Sequence, residues 1–226
     1  MNVTYYGHSS FLFEIEGSKV LFDPFISPNP LASAIDVTTI EADYLLLSHG
    51  HGDHVADAEA IGKRTGAEVV AIAEIAGWFG NKGLKAAYPM NIGGKVKLPF
   101  GTVKMVAAAH SSSLPDGSYG GLAAGFVVEA EGKTFYFAGD TALTYDMKLI
   151  AEQHKLDFAL LPIGDNYTMG IGDALIAADW VGASKIIGMH YDTFPVIKID
   201  QEAAKQQAQQ AGKELVLLQI GETITL

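Results

Sequence analysis

The sequence predicts an α/β (α+β) protein built as a four-layer αββα sandwich, in which two mixed sheets pack face to face with helices outside. Two patterns favour this fold. Short apolar runs typical of buried strands, separated by turn residues, dominate the chain before Asp140. After Asp140, helix-like stretches alternate with buried-strand runs, as in α/β folds. Each half therefore resembles a sheet with helices on one side, and two such units can stack sheet against sheet.

The first half opens with a strand meander. The apolar runs VTYY, FLFEI and KVLF are short, and the turn-forming Glu16-Gly17-Ser18 separates the last two. Helical patterns are expected near residues 54–64 and 73–80. Further strand-like runs cover residues 44–48, 68–72, 102–108, 122–130 and 133–139.

The second half alternates helices with buried strands. The strand-like runs are DFALLPI and KIIGMHY, and helices are expected at residues 146–153, 172–180 and 199–211. No low-complexity tract or Pro/Ser-rich linker divides the chain, and its length suffices for a sizeable core. We therefore predict one domain over residues 1–226.

Composition excludes several classes of partner. The formal net charge is −11 and no Lys/Arg-rich stretch occurs, so nucleic acid is not an expected partner. No apolar run approaches the roughly 18 residues of a membrane span, and the N-terminus lacks the pattern of a signal peptide. We expect a cytoplasmic protein with a small-molecule substrate and no membrane partner, and a homo-oligomer is left open. Cysteine is absent, so nitrogen and oxygen must hold any metal.

The segment His49-Gly50-His51-Gly52-Asp53-His54 carries the strongest chemical signal. It follows the apolar run YLLLS and contains three of the seven histidines in the chain. The two glycines allow a tight turn, so that His49 and His51 can converge on one cation while Asp53 and His54 face an adjacent one. The spacing predicts a metal site.

At this segment the sequence resembles the metallo-β-lactamase superfamily, whose hallmark is His-x-His-x-Asp-His after a strand. The other superfamily positions occur in order, and each follows an apolar run: Asp23, His110, Asp140 and His190. A side chain at a strand end is held by the sheet yet projects into a cleft, which suits a metal site with an open coordination position.

The resemblance covers essentially the whole chain and implies the αββα fold and a set of ligands. It implies that His49, His51 and His110 bind one cation, that Asp53, His54 and His190 bind another, and that Asp140 bridges them. Asp23 would orient a ligand imidazole by accepting its distal N–H. Zinc is the first expectation for these two divalent metal ions, and Mn, Fe, Ni or Co also suit nitrogen and oxygen ligands.

Longer segments resemble one branch of the superfamily, a family of metal-dependent hydrolases named for its fold rather than its substrate and related more distantly to L-ascorbate-6-phosphate lactonase. They include YYGHSSFLFE, LFDPFISPNP, AAHSSS, AGDTAL and LPIGDNYTMG. In that family the early histidine, here His8, sits at the cleft. His8 would contact substrate or transfer a proton, or it would be a structural histidine hydrogen-bonded within the sheet. The 164–170 loop would either bind substrate or cap the next helix.

We therefore predict a metal-dependent hydrolase. Two cations about 3.5–4 Å apart can share a water and lower its pKa toward about 7, which supplies a metal-bound hydroxide to cleave an ester-type bond, such as a lactone or phosphodiester. Asp53 would also orient the nucleophile, and His8 or metal-bound water would protonate the leaving group.

Three alternatives remain open at this point. Iron-dependent redox enzymes of the same fold typically carry Glu where this chain has His51, together with a flavin-binding domain for which no residues remain. Nucleases of the superfamily often insert a large domain, whereas Asp140 and His190 are only 50 residues apart. A non-catalytic binding protein fits poorly because every expected ligand is present.

Overall fold

The computed structural model describes residues 1–226 and contains two seven-stranded sheets. The strands of the first sheet are β1 (Asn2–Gly7), β2 (Ser10–Ile15), β3 (Ser18–Phe22), β4 (Tyr44–Leu47), β5 (Glu68–Ile72), β6 (Lys85–Met90) and β14 (Thr223–Thr225). Those of the second are β7 (Lys95–Leu98), β8 (Gly101–Ala107), β9 (Ala124–Ala130), β10 (Lys133–Phe137), β11 (Phe158–Pro162), β12 (Lys185–Met189) and β13 (Glu214–Val216).

The two sheets have matching topologies. Their orders are β14-β1-β2-β3-β4-β5-β6 and β13-β12-β11-β10-β9-β8-β7. The meander strands pair antiparallel in both, whereas β3 to β6 and β10 to β13 run parallel. Because the carboxyl ends of parallel strands meet at one edge, each sheet presents several strand ends on the same side.

The helices lie outside the sheets, which completes the predicted αββα sandwich. They are α1 (Gly52–Val55), α2 (Ala58–Thr65), α3 (Ala73–Asn81), α4 (Met147–Gln153), α5 (Ile171–Val181) and α6 (Gln201–Gln210). In the first half, α3 packs on β5 and β6. In the second half, α5 contacts β11 and α6 contacts β13. None of these helices combines the length and hydropathy that a membrane span requires.

Aromatic side chains join the sheets in the core. The rings of Phe13 on β2 and Phe135 on β10 stack with centroids 4.6 Å apart, and Phe22 and Phe137 lie 4.7 Å apart. All four side chains are fully buried. Each such burial stabilises the fold by roughly 1.5–3 kcal/mol, and together they fix the two sheets relative to one another.

The local structure differs from the sequence predictions in two respects. The helix predicted over 54–64 is divided into α1 and α2, because the Asp57 N–H donates to the Pro24 carbonyl at 3.0 Å and its carboxylate accepts the N–H of Ile26 at 2.6 Å. The strands β6, β7, β13 and β14 were not predicted at all. These four are the edge strands of the two sheets.

Candidate metal centre

The predicted site residues come from strand ends of both sheets. Asp23 follows β3 and His49 follows β4, which are parallel neighbours in the first sheet. Asp140 and His190 follow β10 and β12 in the second sheet, and His110 follows β8. The sandwich brings these ends together at one side of the molecule, so the structure gathers all seven side chains predicted to bind metal.

Three histidines form one group, which we call the three-histidine group: His49, His51 and His110. One potential ligand atom from each lies within 4.8 Å of the others. The His49 Nε2 and His51 Nδ1 atoms are 3.0 Å apart, and the His110 ring centroid is 5.1 Å from both other rings. His49 and His51 converge as the spacing predicted, but neither Gly50 nor Gly52 has a positive φ. Glycine at position 50 instead allows a close approach, because a Cβ there would lie 3.0 Å from the Ser113 carbonyl oxygen.

A second group, the Asp53 group, contains Asp53, His54 and His190. Their potential ligand atoms also lie within 4.8 Å of one another, and His8 joins the same cluster. The His54 and His190 rings are nearly parallel, with an interplanar angle of 18° and centroids 5.7 Å apart. Asp53 and His54 come from the segment after β4 in the first sheet, and His190 comes from the end of β12 in the second sheet.

The Asp140 carboxylate lies between the two groups. Its Oδ2 is 2.9 Å from His190 Nε2 and 3.5 Å from His110 Nε2. Its Oδ1 is 3.3 Å from His54 Nε2. Asp140 therefore reaches both groups, as the resemblance implied for a bridging ligand.

The buried polar atoms of this centre fit divalent cations. His54 Nε2, His190 Nε2 and Asp140 Oδ1 are buried and have no aligned hydrogen-bond partner. Unpaired buried polar atoms cost about 1–3 kcal/mol each, and here they converge on one another. A set of imidazole nitrogens and carboxylate oxygens is what Zn²⁺ and similar ions prefer, so these residues could hold metal.

Asp23 fixes the imidazole tautomers at this centre. It is fully buried and accepts bonds from Ser48 N–H at 2.8 Å, Ser48 Oγ–H at 2.5 Å and His54 Nδ1–H at 2.8 Å. Because the Ser48 hydroxyl donates to Asp23, its oxygen accepts from His49 Nδ1–H at 3.0 Å. Both imidazoles therefore direct Nε2 toward Asp140, and loss of the Nε2 proton gives the form that binds a cation.

His8 lies behind Asp53 rather than in the cleft. It is 1% exposed, its Nε2–H donates to Asp53 Oδ2 at 3.1 Å, and its Nδ1 is 3.0 Å from the Thr193 hydroxyl. Burial and the neighbouring His190 lower the pKa of His8 to about 4, although the bond to Asp53 opposes this. A neutral His8 that donates from Nε2 accepts the Thr193 hydroxyl proton at Nδ1. Of the roles left open for His8, this buried position favours a histidine hydrogen-bonded within the protein over direct contact with substrate.

Electrostatics differ between the histidines of the centre. Burial and the nearby His54 lower the pKa of His49 well below its usual value. Burial also acts to lower the pKa of His54, but the Asp140 and Asp23 carboxylates outweigh it and raise that pKa well above its usual value. A cation that binds to His54 and Asp140 must displace the His54 Nε2 proton, so metal binding and protonation of His54 compete.

A cleft of about 410 Å³ opens beside the centre. It is lined by five of the predicted ligands together with Ser111, Tyr167 and Phe194. Tyr167 belongs to the 164–170 loop, and Gly170 at the end of that loop is the N-cap residue of α5. The loop therefore borders the cleft through Tyr167 and also begins a helix, and its role in binding substrate stays a prediction.

Sequence reasoning missed Ser48, Ser111, Thr193 and Phe194. Ser48 and Ser111 directly adjoin predicted ligands, so their positions next to His49 and His110 were a usable signal. Thr193 and Phe194 follow His190 by three and four residues, in a segment without a recognisable pattern. Only the packing of this segment against His8 reveals them.

A sandwich of two mixed sheets that gathers histidines and aspartates at its strand ends defines the metallo-β-lactamase fold class. A profile of the Beta-lactamase superfamily domain matches residues 18–191. Proteins named UPF0173 metal-dependent hydrolase from Flavobacterium johnsoniae and Christiangramia forsetii are 53% and 54% identical, over 226 and 227 residues and 100% of each chain. The chain belongs to this family of metal-dependent hydrolases within the metallo-β-lactamase superfamily.

Solved structures agree with the predicted fold. Igni18, a metallo hydrolase from Ignicoccus hospitalis, is 36% identical, with coverage of 100% of this chain and 97% of its own and a TM-score of 0.90. An isothiocyanate hydrolase from Delia radicum gut bacteria, 20% identical with a TM-score of 0.80 and coverage of 100% and 99%, shares the fold. The predicted class of enzyme, a metal-dependent hydrolase, is confirmed, whereas the more distant link to ascorbate-6-phosphate lactonase stays a prediction.

Proposed function

We propose that the chain hydrolyses an ester-type bond of a small molecule at a centre that holds two divalent cations. The position of the Asp140 carboxylate carries the proposal. It lies within 3.5 Å of His110 in the three-histidine group and within 3.3 Å of His54 and His190 in the Asp53 group. One carboxylate shared by two groups of ligands suits a pair of ions better than a single ion.

The three-histidine group would hold one ion, the Asp53 group would hold the other, and zinc is the first candidate for both. When bound, such ions act as Lewis acids that lower the pKa of a water toward about 7 and stabilise negative charge on a carbonyl or phosphoryl oxygen. The protein groups supply orientation. Asp23 and Ser48 hold His49 and His54, and His8 holds Asp53.

Asp53 is the residue best placed to orient the attacking water. Its side chain is 27% exposed and lines the cleft, while its Oδ2 is held by His8. His8 acts through this bond, since its own ring is buried. A cleft of about 410 Å³ suits a small molecule, and the net charge of −11 opposes binding of nucleic acid.

The test combines metal analysis with a substrate screen. Native protein is analysed for metal content and assayed on lactones, phosphodiesters, phosphate monoesters and thioesters. We expect two ions per chain and turnover in one ester class. Asp140→Asn should lose at least one ion and most activity, whereas the exposed Asp146→Asn should retain both. A single ion per chain, with Asp140→Asn fully active, would contradict the proposal.

A further inference from the structure

The cleft beside the metal centre is lined by no Lys or Arg side chain. Its eight lining residues include the carboxylates of Asp53 and Asp140 but no Lys or Arg. Lys19, Lys133 and Lys185 stand at or near the amino ends of β3, β10 and β12, whereas the centre lies at their carboxyl ends. Strands of this length place such residues about 15 Å from the centre. A second negative charge on the substrate, away from the reacting group, would find no Lys or Arg to pair with in the cleft.

Phe194 forms a rigid apolar wall of the cleft. Its ring meets the His8 ring edge-on with centroids 5.4 Å apart and lies 6.2 Å from the Phe25 ring. Phe25 is only 6% exposed and itself packs against His8 at 5.5 Å. The Phe194 ring is thus held in place by buried groups, so ligand binding would not have to pay the entropic cost of ordering this side chain.

Tyr167 also lines the cleft, from a loop that is tied to the protein by backbone hydrogen bonds. Asp165 N–H donates to the Met169 carbonyl at 3.1 Å, and Met169 N–H donates to the Thr141 carbonyl at 3.1 Å. Tyr167 itself is 56% exposed. A large aromatic side chain held in water at the mouth of a reactive cleft indicates a contact surface for ligand.

We propose that the non-reacting part of the substrate is uncharged and apolar, and that it contacts Tyr167 and Phe194 while the reacting group faces the metal centre. The inference rests on the proposed function, because it describes the substrate of the same site. Bound cations would be engaged with the reacting oxygen, and a remote phosphate or carboxylate would find no Lys or Arg in the cleft of a strongly negative protein. Phosphorylated lactones and sugar phosphates are therefore poor substrates.

Lys198 offers the most direct alternative. It lines a separate cavity of about 510 Å³, together with Asp165 and Asp200. Lys198 does not line the cleft beside the metal centre. A remote anionic group that reached this cavity would nevertheless depend on Lys198, so its substitution belongs in the test.

The test compares two probes that differ by one sulfonate. Zinc-loaded protein is titrated with acetanilide and with 4-acetamidobenzenesulfonate, and the Kd values are measured by ligand-observed NMR. Both probes are analogues of a phenyl acetate in which an amide replaces the ester. We expect acetanilide to bind at least about tenfold more tightly. Tyr167→Ala and Phe194→Ala should each weaken it about two- to tenfold. Tyr145→Ala, at an aromatic 73% exposed outside the cleft, should not. Phe194→Leu replaces Phe194→Ala if the latter fails to fold.

Several outcomes would overturn the inference. The sulfonate could bind as tightly as acetanilide, neither probe could bind, or both cleft variants could bind like the wild type. A loss of sulfonate binding in Lys198→Ala, with tight binding in the wild type, would instead identify Lys198 as an anion anchor. If acetanilide binds as expected but no ester class is hydrolysed, the proposed hydrolysis fails and the apolar contact surface stands.

Discussion

Three residues of the centre adopt a left-handed backbone conformation that non-glycine residues rarely occupy. These are His8 with φ 56°, Asp23 with φ 40° and His190 with φ 57°. Each such position costs of order 1–3 kcal/mol and persists only where the surroundings enforce it. Here His190 N–H donates to the His8 carbonyl at 2.8 Å, which ties the end of β12 to the end of β1. Backbone geometry thus contributes to aiming the imidazoles.

The types of the site residues could be predicted, whereas their mutual contacts could not. His49, Asp140 and His190 follow apolar runs, and a strand end is a local feature of the sequence. The bond between His8 and Asp53 joins residues 45 positions apart, and the one between His8 and Thr193 spans 185. Such contacts depend on how the sheets pack, so the sequence left His8 with two roles.

Asp23→Asn should weaken metal binding at both groups. The amide introduced by this substitution would present N–H groups where Ser48 and His54 now donate, and this would favour a proton on the Nε2 of His54. We expect a loss of about 10- to 100-fold in metal affinity, measured by competition with a chelator. Asp43→Asn is the matched control, because Asp43 accepts the Lys19 N–H at 2.7 Å in the same sheet. Equal affinities for the two variants would contradict this role of Asp23.

Thr193→Val should reduce turnover while the metal content stays unchanged. It removes the hydroxyl 3.0 Å from His8 Nδ1, so the His8 ring is free to change tautomer and to release Asp53. One such bond is worth about 1 kcal/mol, which corresponds to a fall in kcat of about fivefold. Thr193→Ser keeps the hydroxyl and should restore kcat. Serine and valine variants with the same kcat would show that the hydroxyl has no such role.

At the scale of elements, the 164–170 loop is built against the centre. Gly164 forms an isolated bridge with Gly170, and a Cβ atom at Gly164 would lie 2.1 Å from the His190 carbonyl oxygen. Such a contact is far shorter than van der Waals packing allows. Gly164 therefore sets the distance between the loop that carries Tyr167 and the strand end that carries His190.

Gly164→Ala should destabilise the protein and displace His190. We expect a loss of about 2 kcal/mol or more in the free energy of unfolding, measured in urea, because the backbone must move. Gly172→Ala, in α5, has no atom within 4 Å of the new Cβ. That variant should instead stabilise the protein by about 0.5–1 kcal/mol. Equal stability of the two variants would contradict the close approach.

The strands missed from the sequence share one position in the fold. β13 and β14 have three residues each and β7 has four, too few to show a period, and β6 is half-exposed and contains Pro89. An edge strand pairs on one side only and is kept short or polar to limit aggregation. Central strands such as β10 and β11 were predicted because both faces are buried, which leaves continuous apolar runs.

At the scale of the whole molecule, the second sheet consists of the consecutive strands β7 to β13, whereas the first sheet is not completed by its own part of the chain. The first sheet comes from residues before β7, except that β14 at the C-terminus pairs with β1. The last strand therefore returns across the second unit to close the first. This pairing favours the prediction of one domain over residues 1–226, since separation of the units would break the β1–β14 ladder.

Unfolding should consequently be a single transition. The two tryptophans report on different sheets, because Trp78 lies on α3 beside the first and Trp180 lies on α5 beside the second. In Trp78→Phe and in Trp180→Phe, the remaining fluorescence should change at the same urea concentration as the far-UV circular dichroism of that variant. If the fluorescence midpoint lay below the circular dichroism midpoint in one variant and above it in the other, the two sheets would unfold as separate units.

The sequence by itself determined the class of fold, the metal-binding residue types and their attachment to strand ends. These are local features, since burial makes runs apolar and a following histidine or aspartate interrupts them. Only the tertiary structure decided that Asp140 stands between two groups, that His8 supports Asp53, and that Tyr167 and Phe194 line a cleft without Lys or Arg. Those features arise where the two sheets meet. The distance between the sheet edges depends on tertiary packing, and no local pattern in the sequence predicts it.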